Sequence, residues 1–337
     1  MVTAVWRNTT GWEAPEIKPY GPLTLMPTAS VLHYATECFE GLKLYRGYDG
    51  SLRVFRIRKN CERMRRSALR IALPDFEPAE LEKLIIKLCE VDGARWLPKD
   101  RPGSFLYIRP TMIGTDATLG VQMPREAMLF IIISCFPIPA AANQGLKLLA
   151  SKEDSVRAWP GGFGFAKVGA NYGPSLIASG EAQKRGYNQI LWLFGPEGWV
   201  TEAGAMNIFF MWNTKEGRKQ LVTAPLEGNM ILEGVTRASV LDLARTNLKD
   251  EVEVVERKFT IGEIAEAVEE GRMIEAFAAG TAYFITPVGT IGWKDKDMSI
   301  PLSEGTIGAY TQKFKTWLED IMYGRQSHEW GIVVNEQ

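Results

Sequence analysis

The chain has 337 residues, of which 46% are apolar and 23% charged, and its formal net charge is -1. This length supports a large buried core and favours two domains over one. A charge near zero without basic clusters argues against nucleic acid or an anionic membrane as a partner. Only two histidines are present, His33 and His328, so we expect neither a metal site nor a histidine-based triad.

The cysteines and the first residues indicate the compartment. Cys38, Cys61, Cys89 and Cys135 show neither paired nor metal-ligand spacing, so we expect reduced thiols. No apolar run approaches the length of a membrane span, and residues 1–17 have neither the apolar core of a signal peptide nor an arginine-rich presequence. We therefore expect a cytoplasmic protein.

Strands and helices alternate in the first part of the chain. Asn60 is a good N-cap residue, and Pro78 opens a helix whose apolar positions have the spacing of one buried face. The predicted elements are a strand at 51–58, a helix from 60 to about 73, a helix from 78, and strands at 105–113 and 128–136. This pattern predicts an α+β lobe.

A segment rich in proline and alanine, FPIPAAANQG, follows these elements and has the composition of an interdomain connection. We predict an N-terminal domain at 1–137, the connection at 138–150 and a C-terminal domain at 151–337. The elements expected in the C-terminal domain are a helix from about Asn171 that ends before Gly186, paired strands around Leu193 and Phe209, a helix after Gly234, a helix at 261–270, a strand and loop at 276–288, and a helix at 303–323.

One lysine lies in unusual surroundings. The segment WPGGFGFAKVGANY places Lys167 among glycine, aromatic and small residues. An ammonium group among apolar neighbours loses hydration, which lowers its pKa and leaves a fraction as unprotonated amine, the form that attacks an aldehyde. Lys167 is therefore a candidate Schiff-base lysine, although composition alone is equally compatible with a solvated lysine in a glycine-rich loop.

Two further residues match the same chemistry. Residues 190–212 read as an apolar strand, a turn and a second apolar strand that Glu202 interrupts, and Tyr172 follows Lys167 by five residues. Pyridoxal 5'-phosphate needs a lysine for its aldehyde, a phenol for its ring oxygen and an acid that keeps its pyridine nitrogen protonated. Taken alone, Glu202 reads as a salt-bridged strand residue and Tyr172 as a half-buried tyrosine.

Seven ordered blocks are those of a known family. They are HYATECFEGLKLYRG at 33–47, NCERMRRSALRIALP at 60–74, LYIRPTMIGT at 106–115, the Lys167 segment, VTEAGAMNIF at 200–209, EGVTRASVLDLAR at 233–245 and GTAYFITPV at 280–288. Almost end to end, the chain resembles the branched-chain amino-acid aminotransferases of the fold type IV group of pyridoxal phosphate enzymes. The resemblance implies an α+β fold with a smaller N-terminal α/β lobe, a larger C-terminal pseudo-barrel domain and the cofactor between them.

The resemblance also assigns residues to the cofactor phosphate. It implies backbone amides at Val235 and Thr236, where a helix N-terminus could bind an anion, together with the cation Arg63 and the hydroxyl of Thr281. Without the resemblance, Gly234-Val235-Thr236 is a weak signal and Arg63 reads as a solvated helix charge.

The substrate contacts come from the resemblance as well. The carboxylate is assigned to the backbone amides of Thr281 and Ala282, with Tyr107 and Arg109 nearby. Selectivity for an aliphatic side chain is assigned to three apolar surfaces, those of Tyr34, Phe39 and Val121; from periodicity alone these three read as ordinary core.

The implied activity is transamination of leucine, isoleucine and valine with 2-oxoglutarate, which gives 2-oxo acids and glutamate and serves biosynthesis or catabolism. Ala140, Phe165 and Ala205 depart from the family pattern and predict a larger, more apolar pocket. A secondary-metabolism paralogue, a D-amino-acid or (R)-amine transaminase, and an aminodeoxychorismate lyase stay open as alternatives, although the LYIRPT and GVTRAS blocks favour the L-branched-chain group. Intact Lys167, Tyr172 and Glu202 argue against a scaffold without chemistry.

A homodimer is expected too. In relatives the pocket lies at a subunit interface, and here the apolar residues Phe39, Leu42, Leu44 and Tyr45 are expected to be exposed on an isolated lobe. Relatives usually carry a further segment upstream that contributes an aromatic residue to the pocket. We therefore expect either a reduced amino-terminal lobe or an incomplete start.

Overall fold

A computed structural model of the chain describes residues 1–136 and 145–336. The chain divides into two compact units: unit 1 comprises Met1–Pro137, Ala166–Ala170 and Glu319–Gln337, and unit 2 comprises Ile138–Phe165 and Asn171–Leu318. The predicted connection at 138–150 begins outside the described residues, and the predicted domain bounds stay a prediction. The units differ from those bounds in the assignment of the lysine segment and the last 19 residues, which cluster with unit 1.

Eleven elements lie before the undescribed segment. They are β1 (Val2–Arg7), β2 (Gly11–Trp12), β3 (Glu16–Ile17), α1 (Ser30–Tyr34), β4 (Glu37–Phe39), β5 (Leu42–Arg46), β6 (Leu52–Phe55), α2 (Ile57–Arg70), α3 (Pro78–Trp96), β7 (Phe105–Gly114) and β8 (Glu126–Ser134).

The labelled elements after that segment begin at residue 146. They are β9 (Leu146–Ala150), α4 (Ser175–Lys184), β10 (Gln189–Phe194), β11 (Trp199–Ala203), β12 (Met206–Asn213), β13 (Lys219–Thr223), α5 (Val235–Asn247), β14 (Glu253–Glu256), α6 (Ile261–Glu269), β15 (Met273–Ala279), β16 (Ile285–Trp293), β17 (Lys296–Ser299), α7 (Ala309–Met322) and β18 (Gly331–Val334).

Unit 1 is built on an antiparallel sheet with the strand order β18-β6-β5-β7-β8-β1-β2. The strand β4 adds to β7 outside this path, and its register pairs Phe39 with Thr111. The helices α2 and α3 contact each other, and α2 also contacts β4. This arrangement brings one face of α2 to the end of β4, where the site residues of unit 1 begin.

The start of α2 differs from the prediction. The helix begins at Ile57, after Arg56 with a φ of 46°, so Asn60 lies within the helix and is not its N-cap. Asn60 is buried, and its side-chain amide donates to the carboxylate of Glu40 at 2.8 Å. The N-cap prediction was wrong because the amide is used in a tertiary contact that the local sequence does not reveal.

The expected exposure of the FEGLKLYRG block was also wrong. Phe39 is 9% exposed, Leu42 3%, Leu44 0% and Tyr45 6%. These residues lie on or beside β5, which is hydrogen-bonded on one side to β6 and on the other to β7, and their side chains belong to the interior of unit 1. The block therefore gives no argument for a subunit interface.

Unit 2 contains a sheet whose central strands form a closed ring. The order β11-β10-β9-β16-β15-β12 closes because β12 also pairs with β11, and β13 and β14 extend it beyond β12. The stacked rings of Phe209 and Phe277, with centroids 5.0 Å apart, join the two central strands β12 and β15. Both units combine helices with sheet, so the expected α+β fold is confirmed.

Most predicted elements of unit 2 are present, with shifted ends. The run around Glu202 is not one interrupted strand, because Gly204, with a φ of 58°, turns the chain between β11 and β12. The helix expected from Asn171 begins at Ser175, and the helix expected at 303–323 begins at Ala309. In the described residues, no helix is both long enough and apolar enough to cross a membrane.

Candidate active site

Lys167 is held in unit 1 through its backbone. Its N–H donates to the hydroxyl of Ser67 at 2.8 Å, and its carbonyl accepts the N–H of Phe39 at 3.0 Å. The neighbouring residue Val168 forms a β-bridge with Cys38. Because the main chain is fixed on both sides, the Lys167 side chain leaves it in a defined direction, and the amine lies 4.7 Å from the centre of the Phe39 ring.

The surroundings of the Lys167 amine weaken it as a base. Desolvation by burial is the largest effect and lowers its pKa to about 8; the positive charges of Arg63 and Arg109 act in the same direction, whereas Glu40 and Tyr107 oppose it. A pKa near 8 leaves an appreciable unprotonated fraction at neutral pH. The structure therefore gives Lys167 a buried amine with a lowered pKa, and its role as a Schiff-base lysine stays a prediction.

Three polar residues lie on the same face of α2, at successive spacings of three and four residues. They are Asn60, Arg63 and Ser67, all of them buried. Ser67 donates its hydroxyl to the Arg63 carbonyl at 2.9 Å while it accepts the Lys167 N–H. Arg63 forms a buried ion pair with Glu40, with 2.7 Å between Nε and Oε1 and 2.8 Å between Nη2 and Oε2.

The strand β7 supplies two further polar groups. Tyr107 and Arg109 are two residues apart on this strand, so their side chains point to the same face of the sheet. Nη2 of Arg109 donates to the Tyr107 hydroxyl at 3.0 Å, and the guanidinium lies 4.6 Å from the centre of the Phe39 ring. Nε of Arg109 is buried and has no hydrogen-bond partner among the described residues, which makes it suited to an anion that is not part of the chain.

In unit 2, Glu202 is a buried carboxylate with several donors. It is 3% exposed, and its oxygens accept the side-chain amide of Asn207 at 3.1 Å and the backbone N–H of Leu232 at 3.3 Å. A guanidinium nitrogen of Arg157 also donates to it. These contacts hold the Glu202 carboxylate in one orientation.

The N-terminus of α5 lies close to this carboxylate. Asn207, which contacts Glu202, also donates to the Leu232 carbonyl at 2.9 Å, just before the helix begins. No described side chain caps the N-terminus of this 13-residue helix. The hydroxyl of Thr236 donates to the Gly280 carbonyl at 3.3 Å, so the loop that contains Thr281 lies at the same helix end.

The structure therefore places the predicted site residues in two groups. Unit 1 contains Lys167, Arg63, Phe39, Tyr107 and Arg109 as neighbours, and also Tyr34 and Val121, which lie at its surface. Unit 2 contains Glu202, Val235, Thr236, Thr281 and Ala282, and also Tyr172, which is half-buried. Of the departures from the family pattern, Phe165 and Ala205 lie in unit 2, and Ala140 lies outside the described residues.

Sequence reasoning missed four residues of these groups. Glu40, Ser67, Arg157 and Asn207 were not singled out, although each contacts a predicted site residue. A signal existed for Ser67, which follows Asn60 and Arg63 at helical spacing in the NCERMRRSALR block. Glu40 offered a weaker signal, as an isolated acid in the apolar run CFEGLKLY.

Comparison with known proteins points to one family. The family model for Amino-transferase class IV matches residues 37–291. The mitochondrial branched-chain-amino-acid aminotransferase of Saccharomyces cerevisiae is 49% identical over 97% of this chain and 84% of its own length. The cytosolic enzyme of the same organism is 46% identical over 100% of this chain and 90% of its own length.

A solved structure agrees with this result. The branched-chain aminotransferase of the thermophilic archaeon Thermoproteus uzoniensis, in a crystal structure with norvaline, is similar to this chain with a TM-score of 0.74. The sequence identity is 26%, and the match covers 99% of this chain and 100% of the archaeal one.

Proposed function

Because the chain belongs to the class IV aminotransferases, we propose that it is a branched-chain-amino-acid aminotransferase, which transfers the amino group of leucine, isoleucine or valine to 2-oxoglutarate. The products are a 2-oxo acid and L-glutamate. Relatives at 45–49% identity over nearly the whole chain carry this name, which supports the choice of substrate. The observation in the structure that carries the proposal is the desolvated Lys167 amine beside Arg63 and Arg109.

The residues present fit pyridoxal 5'-phosphate as the cofactor. In unit 2, the N-terminus of α5, without a described side-chain cap, suits a phosphate at Val235 and Thr236, and Thr281 lies on the adjoining loop. In unit 1, we assign the cation Arg63 to the cofactor. The fixed carboxylate of Glu202 suits a protonated pyridine nitrogen. We assign Tyr172 to the ring oxygen. When bound, this cofactor supplies an electron-withdrawing ring that stabilises negative charge at the substrate Cα.

Proton transfer is the task of Lys167. An amine with a pKa of about 8 is a competent proton acceptor at neutral pH and a competent donor once protonated, so it can take the proton from the substrate Cα and later return a proton. The backbone hydrogen bonds to Ser67 and Phe39 hold the main chain of Lys167 in the same position for both steps.

Substrate binding uses the opposite properties of two surfaces. In unit 1, Arg109, with its buried Nε, and Tyr107 offer positive charge and hydrogen bonding to a carboxylate. In unit 2, we assign the backbone amides of Thr281 and Ala282 to carboxylate binding. The ring of Phe39, which lies next to the Lys167 amine, provides an apolar wall for an aliphatic side chain. We assign Tyr34 and Val121 to the same selectivity for branched aliphatic groups.

We also propose that the enzyme is a homodimer, on grounds other than the FEGLKLYRG block. The segments around α1 and 119–123 meet where the Gly120 N–H donates to the Tyr34 hydroxyl at 3.1 Å, and both segments carry exposed apolar side chains. Val121 is 89% exposed and Met123 72%. A cluster of this kind is typical of a protein interface, and a second copy would cover it and bring Tyr34 and Val121 to a substrate pocket.

The proposal extends to the cellular compartment in which the protein is located. Cytosolic and mitochondrial relatives match this chain about equally well, and we propose a cytoplasmic location. Fluorescence microscopy of the tagged full-length protein in its native cells tests this.

An amino-donor panel against 2-oxoglutarate tests the proposed activity. The donors are valine, leucine, isoleucine, phenylalanine, D-alanine and (R)-1-phenylethylamine, with glutamate formation as the measurement. We expect the three branched L-amino acids to give the highest kcat/KM. Preference for D-alanine or the (R)-amine would identify the chain as a D-amino-acid or (R)-amine transaminase of the same fold. The absence of turnover with every donor would refute the proposal.

A further inference from the structure

Glu40 is the anion in the positively charged surroundings of Lys167. The charged and titratable groups that act on the Lys167 amine are Arg63 from α2, Tyr107 and Arg109 from β7, and Glu40, which directly follows β4. Since a tyrosine is neutral at pH 7, Glu40 is the negative charge in this set of four. Its carboxylate is 1% exposed.

The hydrogen bonds of Glu40 fix both of its oxygens. Oε1 accepts Nε of Arg63 at 2.7 Å; Oε2 accepts Nη2 of Arg63 at 2.8 Å, the Asn60 amide at 2.8 Å and the Gly41 N–H at 3.1 Å. Two hydrogen bonds from a planar guanidinium to one carboxylate fix the orientation of the guanidinium. A single hydrogen bond would leave it free to rotate.

Stability alone is a weak explanation for this buried ion pair. Burial of two charges costs desolvation, and buried ion pairs can often be replaced by apolar residues without loss of stability. Here the pair contacts the same face of α2 that holds the Lys167 backbone through Ser67. Its position therefore indicates a role toward the lysine.

We propose that Glu40 is a positioning residue of the amine site, whose carboxylate holds the Arg63 guanidinium in one orientation and offsets its positive charge beside Lys167. Without that offset, the two guanidinium groups would disfavour the protonated amine more strongly. The amine would then be a poorer proton acceptor. That the Lys167 amine transfers protons rests on the proposed function. The effect of Glu40 on the basicity of Lys167 can be measured without turnover.

The test measures the basicity of Lys167 in the full-length, cofactor-free protein. Cyanate, a small reagent that reacts with unprotonated amines, is applied over a range of pH, and mass spectrometry of the Lys167 peptide gives the rate at each pH. In Glu40→Gln, which keeps the shape of the side chain and removes its charge, we expect the midpoint of the profile to move to lower pH by roughly one unit.

Two matched variants separate charge from packing. Glu62→Gln removes a partly exposed acid from the same helix α2, and Asn60→Ala removes a hydrogen bond to Glu40 without a change of charge. Both should leave the Lys167 midpoint where it is in the parent protein. An unchanged midpoint in folded Glu40→Gln would overturn the proposal.

A second pair of variants covers the case in which Glu40→Gln does not fold, as judged by circular dichroism and thermal melting. Arg63→Gln should move the midpoint to higher pH, and Glu40→Gln combined with Arg63→Gln should return it toward the parent value. No shift in Arg63→Gln would equally overturn the proposal. A shifted midpoint in a protein without transaminase activity would refute the proposed function alone, whereas an active enzyme with unshifted midpoints would refute only the role of Glu40.

Discussion

At the scale of single residues, the two candidate groups are organised around ionisable side chains removed from water. Lys167 is weakened as a base by desolvation and by neighbouring cations, and Glu202 is held by donors from Asn207, Leu232 and Arg157. Burial of an isolated charge costs free energy, and each of these two groups has charged or hydrogen-bonding neighbours. Their protonation and orientation are what substitutions should change.

Lys167→Ala should abolish transamination, because it removes the amine that accepts the Cα proton. The fold and non-covalent binding of pyridoxal 5'-phosphate should persist, since the backbone contacts of residue 167 do not depend on its side chain. Glutamate formation and circular dichroism check both statements. Lys152→Ala, at an exposed lysine, serves as the control. Turnover near the parent rate in Lys167→Ala would contradict the assignment.

Glu202→Gln should lower kcat by roughly 10²–10³ or more, since a preorganised charge is removed where a protonated ring nitrogen must be held. The amide keeps the size of the side chain, so packing changes little. Steady-state kinetics provide the measurement, and Glu197→Gln, an exposed acid in the preceding turn, provides the comparison. An unchanged rate would identify Glu202 as a structural strand residue.

At the scale of elements, one helix face and one strand position the groups of unit 1. Helix α2 presents Asn60, Arg63 and Ser67 to Glu40 and Lys167, and β7 presents Tyr107 and Arg109. The link between β4 and β5 passes directly beside the Tyr107 side chain of β7. A Cβ at Gly41 would overlap the Tyr107 hydroxyl oxygen, so the tyrosine would have to move.

Gly41→Ala should therefore displace Tyr107 and, through their hydrogen bond, Arg109. We expect kcat/KM to fall by roughly 10²-fold, the effect of misplacing a binding group by about 1 Å. Gly180→Ala is the control, because a Cβ there meets nothing within 4 Å. Parent-like kinetics in Gly41→Ala would show that Tyr107 and Arg109 do not hold the substrate.

At the scale of the whole molecule, exposed apolar residues of unit 1 suggest an assembly. Leu32, Leu119, Val121 and Met123 are 58%, 59%, 89% and 72% exposed, in two segments joined at Tyr34 and Gly120. Such exposure costs free energy in an isolated chain, and burial against a second copy would recover it.

Val121→Asp should weaken the dimer and lower activity together, because a buried carboxylate without a partner opposes association. Sedimentation at several concentrations, with activity followed on dilution, provides the measurement. Val333→Asp, at a half-exposed valine of β18, tests whether any apolar surface position would do the same. A fully active monomer would refute both the dimer and the part assigned to Val121.

The sequence by itself determined the features that local chemistry encodes. Pro78 opens α3 and α5 follows Gly234, as expected from signals within a few residues, and the apolar setting of Lys167 already predicted a weakened amine. Only the tertiary structure decided that Asn60 is a partner of Glu40 and not a helix cap. It also decided that Lys167 is anchored to Ser67, 100 residues earlier. The physical reason is that capping, turns and periodicity arise between neighbours in the chain, whereas buried ion pairs and hydrogen bonds across long separations exist only once packing has brought their partners together.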